Sequence, residues 1–262
     1  MVDFCLIIAY TICIVRLMEK TKLCNKLRTA FEEILKMPYF ENERARSGKT
    51  INGHEDAIAI RFEEAGLERL KNEDYPRLKK GSMKRWEELN FDSDYLEFIS
   101  DTQYKTKANK TFGDMPLGSF IEQPAGSQSF PDFLVRDHNG RFIAVEAKSG
   151  RNGENPMWND SLPKLGAVYI LSSGRQNATT LFLGQDVISK AEHDLVRQQE
   201  EEIEAVVRKY NKLMEDVDVN KRGWIQKSRK QHFQGGGKVK TNYFTHQDRQ
   251  RCEQNVLEFV SQ

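Results

Sequence analysis

The stretch FPDFLVRDHNGRFIAVEAK, residues 130–148, decides the fold of this chain because it encodes a tight β-hairpin. Its first apolar run is Phe133–Arg136, and its second run covers residues 141–147. Asn139-Gly140 lies between the two runs, and this dipeptide readily adopts the positive φ angles of a two-residue turn. The pattern therefore predicts two antiparallel strands that are joined by a short connection.

Three charged side chains belong to this hairpin. Asp132 comes just before the first strand, whereas Glu146 and Lys148 lie at the end of the second. Because alternate residues of a strand point to the same face, Glu146 and Lys148 project together. The short turn brings Asp132 beside the same end of the partner strand, so we expect the three groups to meet at one edge of a sheet.

Such a cluster needs a cation, because two neighbouring carboxylates repel each other and are costly to bury. Mg²⁺ commonly takes one or two protein carboxylates and keeps its other positions for water and a substrate phosphate. We predict that Asp132 and Glu146 bind Mg²⁺ and that the backbone carbonyl of Ala147 is a further ligand. Lys148 is predicted to orient and help deprotonate an attacking water.

The pattern of Pro131-Asp132 followed by Glu146-Ala147-Lys148 resembles the active site of the PD-(D/E)XK nucleases, most closely that of type II restriction endonucleases. The resemblance implies an α/β (α+β) fold with a restriction-endonuclease-like core, a central mixed β-sheet flanked by helices, with added N- and C-terminal segments. It implies a sequence-specific endonuclease on double-stranded DNA that depends on Mg²⁺, with Mn²⁺ as a substitute. The products would carry 5′-phosphate and 3′-hydroxyl ends, and the enzyme would be a homodimer. In that family the residues matching Asp132 and Glu146 bind metal, and the one matching Lys148 serves the water.

Three other interpretations stay open at this point. A DNA repair or recombination nuclease of the same superfamily would use the same motif. A non-catalytic DNA-binding protein would keep the basic segment described below but would have no need of clustered carboxylates beside a phosphate. In the structural alternative, Asp132 caps a turn, while Glu146 and Lys148 form a surface pair on an edge strand.

Further acidic and polar residues are candidates for supporting roles. Glu55 and either Glu63 or Glu64, on a predicted helix, and Glu122, at a predicted strand end, are possible outer-shell groups of the metal site. Candidates for DNA contact flank the hairpin on both sides, where polar loops adjoin the motif. They are Gln123, Ser127, Gln128, Asn155 and Trp158.

The segment 219–247 carries seven Lys and Arg residues and no acidic residue. Aromatic residues are interleaved with these charges, and Gly235-Gly236-Gly237 provides a flexible joint. A solvated basic loop would have this composition, but the absence of acids over such a length favours contact with DNA phosphates. The predicted DNA-binding residues here are Lys227, Arg229, Lys230, Lys238 and Lys240.

The rest of the chain gives a coarse division into four parts. Residues 1–17 form an apolar extension of doubtful role, 18–115 a mainly helical region, 116–190 the catalytic core, and 191–262 a long helix followed by the basic segment. Helices are predicted over 18–37, 55–70 and 186–214. Strands are predicted over 120–123, 167–171 and 179–183, in addition to the hairpin.

Composition sets limits on the class of protein. In 262 residues, 40 Lys and Arg balance 39 Asp and Glu, which excludes a uniformly basic nucleic-acid coat. The four cysteines lack zinc-site spacing, so we expect free thiols in a reducing, cytoplasmic compartment. The apolar run 4–15 is shorter than a membrane span, which needs about 20 residues, so we expect no membrane association. No Walker loop is present, so we expect no nucleotide cofactor.

Overall fold

A computed structural model describes residues 26–41, 43–44, 50–51, 53–71, 115–124, 130–159, 162–227, 231–232, 234 and 241–262. The helices are α1 (residues 26–35), α2 (Gly53–Glu64), α3 (Gly184–Val187), α4 (Lys190–Val217) and α5 (Arg249–Phe259). The strands are β1 (Glu43–Arg44), β2 (Thr50–Ile51), β3 (Glu68–Leu70), β4 (Ser119–Glu122), β5 (Phe133–Arg136), β6 (Phe142–Gly150), β7 (Trp158–Asn159), β8 (Val168–Ser173), β9 (Ala178–Leu183) and β10 (Gln231–His232). The fold is mixed α/β.

A six-stranded mixed sheet forms the centre, in the order β3-β4-β5-β6-β8-β9. β3 runs parallel to β4, and β6 runs parallel to β8, whereas the other neighbours are antiparallel. The predicted hairpin is confirmed as β5 and β6, which pair Phe133 with Val145 and Arg136 with Phe142. β6 therefore has β5 beside its first half, as far as Val145, and from Val145 to Gly150 it pairs with β8.

The hairpin turn is fixed by Asp137 and Gly140. The Asp137 carboxylate accepts hydrogen bonds from the backbone N–H groups of Asn139 and Arg141, both at 2.8 Å. Gly140 has a φ of +80°, the left-handed conformation that the turn requires and that glycine adopts without strain. His138, which its place in the turn predicts to be exposed, is instead 6% exposed.

Each face of the sheet has its own hydrophobic core. The first core joins α1, α2 and α5 to the sheet, and Phe62 of α2 contacts the rings of Phe31, Phe120 and Phe133. The second core lies on the opposite face and includes these residues: Leu134, Ala144, Trp158, Tyr169, Phe182, Tyr243 and Phe244. Residues from the predicted N-terminal and C-terminal regions thus pack in the same cores as the predicted catalytic core.

The predicted helix over 55–70 is wrong at its C-terminal end. Gly66 has a φ of +84°, and its N–H donates to the carbonyl of Glu63, while the Leu67 N–H donates to the carbonyl of Phe62. These two bonds form a Schellman motif, which ends the helix and satisfies its last carbonyls. The chain then continues as β3, at the edge of the sheet.

The described parts of the other predicted helices and strands agree with the predicted pattern, and the structure adds the two-residue strands β1, β2, β7 and β10. The predicted helix over 186–214 is divided into α3 and α4, and α4 begins with a capping box between Ser189 and Glu192. The C-terminal helix α5 was not predicted. Within the part of the chain that the structure describes, no helix is both long and apolar enough to cross a membrane. The predicted extension 1–17 lies outside the described residues.

Candidate active site

The candidate active site lies where β6 continues past the first residue of β5. Phe133 pairs with Val145, so the preceding residue, Asp132, lies beside Glu146. Leu134 and Ala144 belong to the second core. Because side chains alternate along a strand, Asp132, Glu146 and Lys148 lie on that same face. The predicted convergence of the three charged groups is therefore present in the structure.

Hydrogen bonds hold the cluster together. The backbone N–H of Ala147 donates to Oδ2 of Asp132 at 2.8 Å, across the gap left by the end of β5. Nζ of Lys148 donates to Oε1 of Glu146 at 2.7 Å. The Glu146 side chain is 13% exposed and that of Lys148 is 26% exposed, so the cluster is largely buried yet open to solvent at one side.

Burial, followed by the negative charges of Glu146 and Glu55, raises the pKa of Asp132 to about 8. The hydrogen bond from Ala147 and the positive charge of Lys148 act in the opposite direction but do not outweigh these effects. A carboxyl group in this position is held protonated near neutral pH unless a cation is bound beside it. The positive charge of Lys148 alone therefore does not balance the two carboxylates.

The donor set fits a small divalent cation. Oε2 of Glu146 is buried and has no hydrogen-bond partner among the described residues. An amide N–H and carbonyl of one strand residue point to the same side, so the Ala147 carbonyl faces the side from which Asp132 accepts its bond. No group of three or more His, Cys, Asp or Glu residues with metal-site geometry occurs in the described ranges. Two carboxylates and one carbonyl suit Mg²⁺, which keeps several waters.

The raised pKa of Asp132 gives a prediction for the metal-free protein. Between about pH 4 and pH 8 the native state holds a proton that the unfolded state has lost, so the free energy of unfolding falls as pH rises. Asp132→Asn removes the group that titrates, and we expect the variant to be roughly 1–3 kcal/mol more stable than the parent at about pH 8 in chelator. The difference should vanish near about pH 4. Denaturant melts across this range measure it, and parallel pH profiles for the two proteins would contradict it.

The acidic candidates for outer-shell roles differ in whether they are connected to the site. Glu55 accepts a hydrogen bond at 2.9 Å from the Gln123 side chain, and the Gln123 N–H donates to the carbonyl of Asp132 at 2.6 Å. Glu55 is therefore linked to the site. Glu122 and Glu63 both pair with Arg69, at 2.6 Å and 3.7 Å, which neutralises them at the β3–β4 edge.

The candidate DNA contacts fall into four groups. Trp158 is 4% exposed and packs edge-on against Tyr169, so the prediction that it contacts DNA is wrong because the ring belongs to the second core. Asn155 is half-buried, and Lys227 is exposed. Gln123 is engaged with Glu55, as described above. The other predicted contacts lie outside the described residues: Ser127, Gln128, Arg229, Lys230, Lys238 and Lys240.

Tyr169 is a residue of the site that the sequence did not indicate. It lies directly opposite Glu146 in the β6–β8 register, and its hydroxyl accepts a hydrogen bond from the Lys164 N–H at 2.7 Å. Burial, followed by the charge on Glu146, raises the pKa of Tyr169 well above its ordinary value. The ring stacks on Phe182 of β9, and only the long-range pairing of two strands reveals that Tyr169 lies beside Glu146.

Comparison of the chain with models of known protein families, with characterised proteins and with solved structures gives no match. The function therefore has to be inferred from the geometry and the chemistry of these residues.

Proposed function

We propose that this protein is a Mg²⁺-dependent endonuclease of the PD-(D/E)XK type that cuts double-stranded DNA. The observation that carries the proposal is the cluster of Asp132, Glu146 and Lys148, in which Oε2 of Glu146 is buried without a partner among the described residues. A hairpin in a mixed sheet that presents these three groups, with helices beside it, fits a restriction-endonuclease-like core.

The structural alternative for the motif is disfavoured by the burial of the two side chains. From Glu146 onward β6 pairs with β8 alone, yet the side chains of Glu146 and Lys148 are only 13% and 26% exposed, which is low for a surface pair. Burying two carboxylates side by side costs free energy, and a fold gains nothing from this arrangement unless a ligand neutralises it. The same cost weighs against a DNA-binding protein without catalysis, because binding a phosphate requires no pair of buried carboxylates.

The residues suggest a division of labour. Asp132, Glu146 and the Ala147 carbonyl would hold Mg²⁺, which when bound acts as a Lewis acid that activates water and stabilises charge at phosphorus. Lys148 uses one of its three ammonium N–H groups to donate a hydrogen bond to Glu146. The other two N–H groups are left as donors for the attacking water and for the phosphate. Attack of water at phosphorus with cleavage of the P–O3′ bond gives 5′-phosphate and 3′-hydroxyl ends.

Double-stranded DNA as the substrate is supported by the basic segment. Its described part begins directly after α4, where Lys221, Arg222 and Lys227 are all exposed. Trp224, which lies among them, is 72% exposed. A run of cations with an exposed ring and no acidic residue is suited to contact with a nucleic-acid backbone.

The test is incubation of the purified protein with a long duplex in Mg²⁺, Mn²⁺, Ca²⁺ or chelator. We expect cleavage in Mg²⁺ and Mn²⁺, none in chelator, and binding with little cleavage in Ca²⁺, which is larger and a poorer activator of water. Discrete fragments would indicate a site-specific enzyme, whereas a smear or structure-dependent cutting would favour the repair or recombination alternative. Glu146→Gln protein purified in the same way controls for a contaminating nuclease. Binding of DNA without cleavage in any metal would leave the non-catalytic alternative.

A further inference from the structure

The long helix α4 has almost no packing partner among the described residues. It has 28 residues, which makes it about 42 Å long at 1.5 Å per residue, and His193 is its one buried residue. Helices in proteins draw most of their stability from the packing of an apolar face. A helix of this length with so little burial among the described residues therefore suggests a partner.

One side of α4 is already used by the chain that follows it. Asn211 accepts from the N–H of Gln226 and donates to its carbonyl, both at 2.8 Å. Glu200 contacts His232 of β10 at 2.7 Å. These contacts fix the returning chain along the side of α4 that carries Glu200, Val207 and Asn211, and all three are half-buried.

A second side of α4 is apolar and exposed. We call it the α4 apolar face, and it consists of Ile203, Val206, Tyr210, Leu213 and Val217, which are between 46% and 65% exposed. The residues recur in steps of three, four, three and four, which is the spacing of the a and d positions of a coiled coil. On an α-helix this face is rotated by about 100° from the side that carries the returning chain. A second helix can therefore pack on it without displacing that chain.

The charges beside the α4 apolar face are divided along the helix. Residues 200–204 include four glutamates and no basic residue, whereas residues 208–212 include Arg208, Lys209 and Lys212 and no acidic residue. A parallel pairing of two such helices would place like charges together. An antiparallel pairing, with its two-fold axis between Glu204 and Ala205, places the acidic block of each helix beside the basic block of the other.

From this self-complementarity we infer that α4 forms an antiparallel coiled-coil interface with a second copy of this chain. In this register Ile203 packs against Val206 of the second copy, so that the two most central apolar residues meet at the axis. Glu202 and Lys209 both lie at the g position, on the flank away from the returning chain. Glu202 of each copy pairs with Lys209 of the other copy, so the interface contains two such pairs. A two-fold axis makes such an interface isologous, because the same surface is used by both copies. The inference concerns association only and does not depend on the nuclease proposal.

The inference is tested by sedimentation velocity of the full chain at several concentrations. We expect a dimer that dissociates on dilution. Val206→Glu buries two carboxylates at the axis and should weaken the dimer at least about a hundredfold. Ala205→Glu is the matched control, because it places the same residue one position away on an exposed part of the helix; the dimer should persist. Circular dichroism checks that both variants keep their helix content.

A charge exchange tests the antiparallel register. Glu202→Lys and Lys209→Glu each replace two attractive contacts by two repulsive ones, and each should weaken the dimer about tenfold. Together the two substitutions exchange the partners and should restore the parent affinity. Within one helix the two residues are seven positions apart, too far for direct contact, so a structural effect would not be restored. A monomeric parent protein, a dimer unaffected by Val206→Glu, or a double variant as weak as the single ones would overturn the inference.

Discussion

Glu146→Gln is expected to abolish both metal binding and cleavage. The amide keeps the shape of the side chain but removes the charge from a group whose Oε2 is buried and lacks a partner among the described residues. It also leaves the Lys148 ammonium without its counter-charge. Loss of the metal's contribution to charge stabilisation should lower the cleavage rate by a factor on the order of 10³ or more. Calorimetric titration with Mn²⁺ and a cleavage time course measure the two effects.

The control for this experiment is Glu63→Gln. Glu63 is an acid on α2 that pairs with Arg69 at 3.7 Å and is 45% exposed, so its loss should change neither metal affinity nor rate. Thermal melts of all three proteins exclude unfolding as the cause. If Glu146→Gln cuts at the rate of the parent, Glu146 does not hold the metal and the proposed function fails at its central residue.

The hairpin and its charges could be predicted because the information for them is local. Asn139-Gly140 indicates the turn, although of the two only Gly140 adopts a positive φ and the connection is longer than two residues. The period-two pattern then places Glu146 and Lys148 on one face. Asp132 lies within twenty residues of both. Its carboxylate accepts the Ala147 N–H at 2.8 Å, as the register of a short hairpin requires. Residues of the turn therefore set the register of β5 against β6, and this register brings Asp132 beside Glu146.

The surroundings of the cluster depend on contacts between distant parts of the chain. Tyr169 reaches Glu146 only because β8 pairs in parallel with β6, and such a pairing has no local signature. Trp158 follows the hairpin in a polar region, which led to the prediction of a surface role. The aromatic partners that bury it, Tyr169 and Phe182, lie on two later strands. Errors of this kind arise where the burial of a side chain is decided by tertiary packing.

One missed boundary did carry a readable signal. Gly66 followed by apolar Leu67, at the end of an amphipathic helix, is the pattern of a Schellman cap. The cap directs the chain into β3, where Arg69 meets Glu122 and Glu63. The cap therefore also decides which acids are neutralised at the sheet edge. Glu55, at the other end of α2, accepts from Gln123 instead and adds negative charge near Asp132.

The electrostatics of the site link its stability to its proposed chemistry. Without a cation, Asp132 is protonated near neutral pH because its pKa is raised to about 8, chiefly through burial. A bound cation would favour the charged form, so metal binding should release a proton near neutral pH. A site of this kind is destabilising when empty and is stabilised by its ligand, which is the expected behaviour of a functional group retained for chemistry.

Lys148→Ala is expected to separate metal binding from chemistry. Lys148 donates to Glu146 at 2.7 Å but supplies no ligand atom, so Mn²⁺ affinity measured by calorimetry should be largely kept. The cleavage rate should fall by a factor on the order of 10³ or more, because the group that orients the water and stabilises charge at phosphorus is lost. Lys36→Ala is the matched control, since Lys36 also pairs with a glutamate, at 2.6 Å, but on the exposed surface of α1. If Glu146 and Lys148 were merely a structural pair, Lys148→Ala would alter stability alone and the enzyme would cut at the parent rate. That result would end the assignment of nuclease chemistry to this motif, even if metal binding by Asp132 and Glu146 were intact.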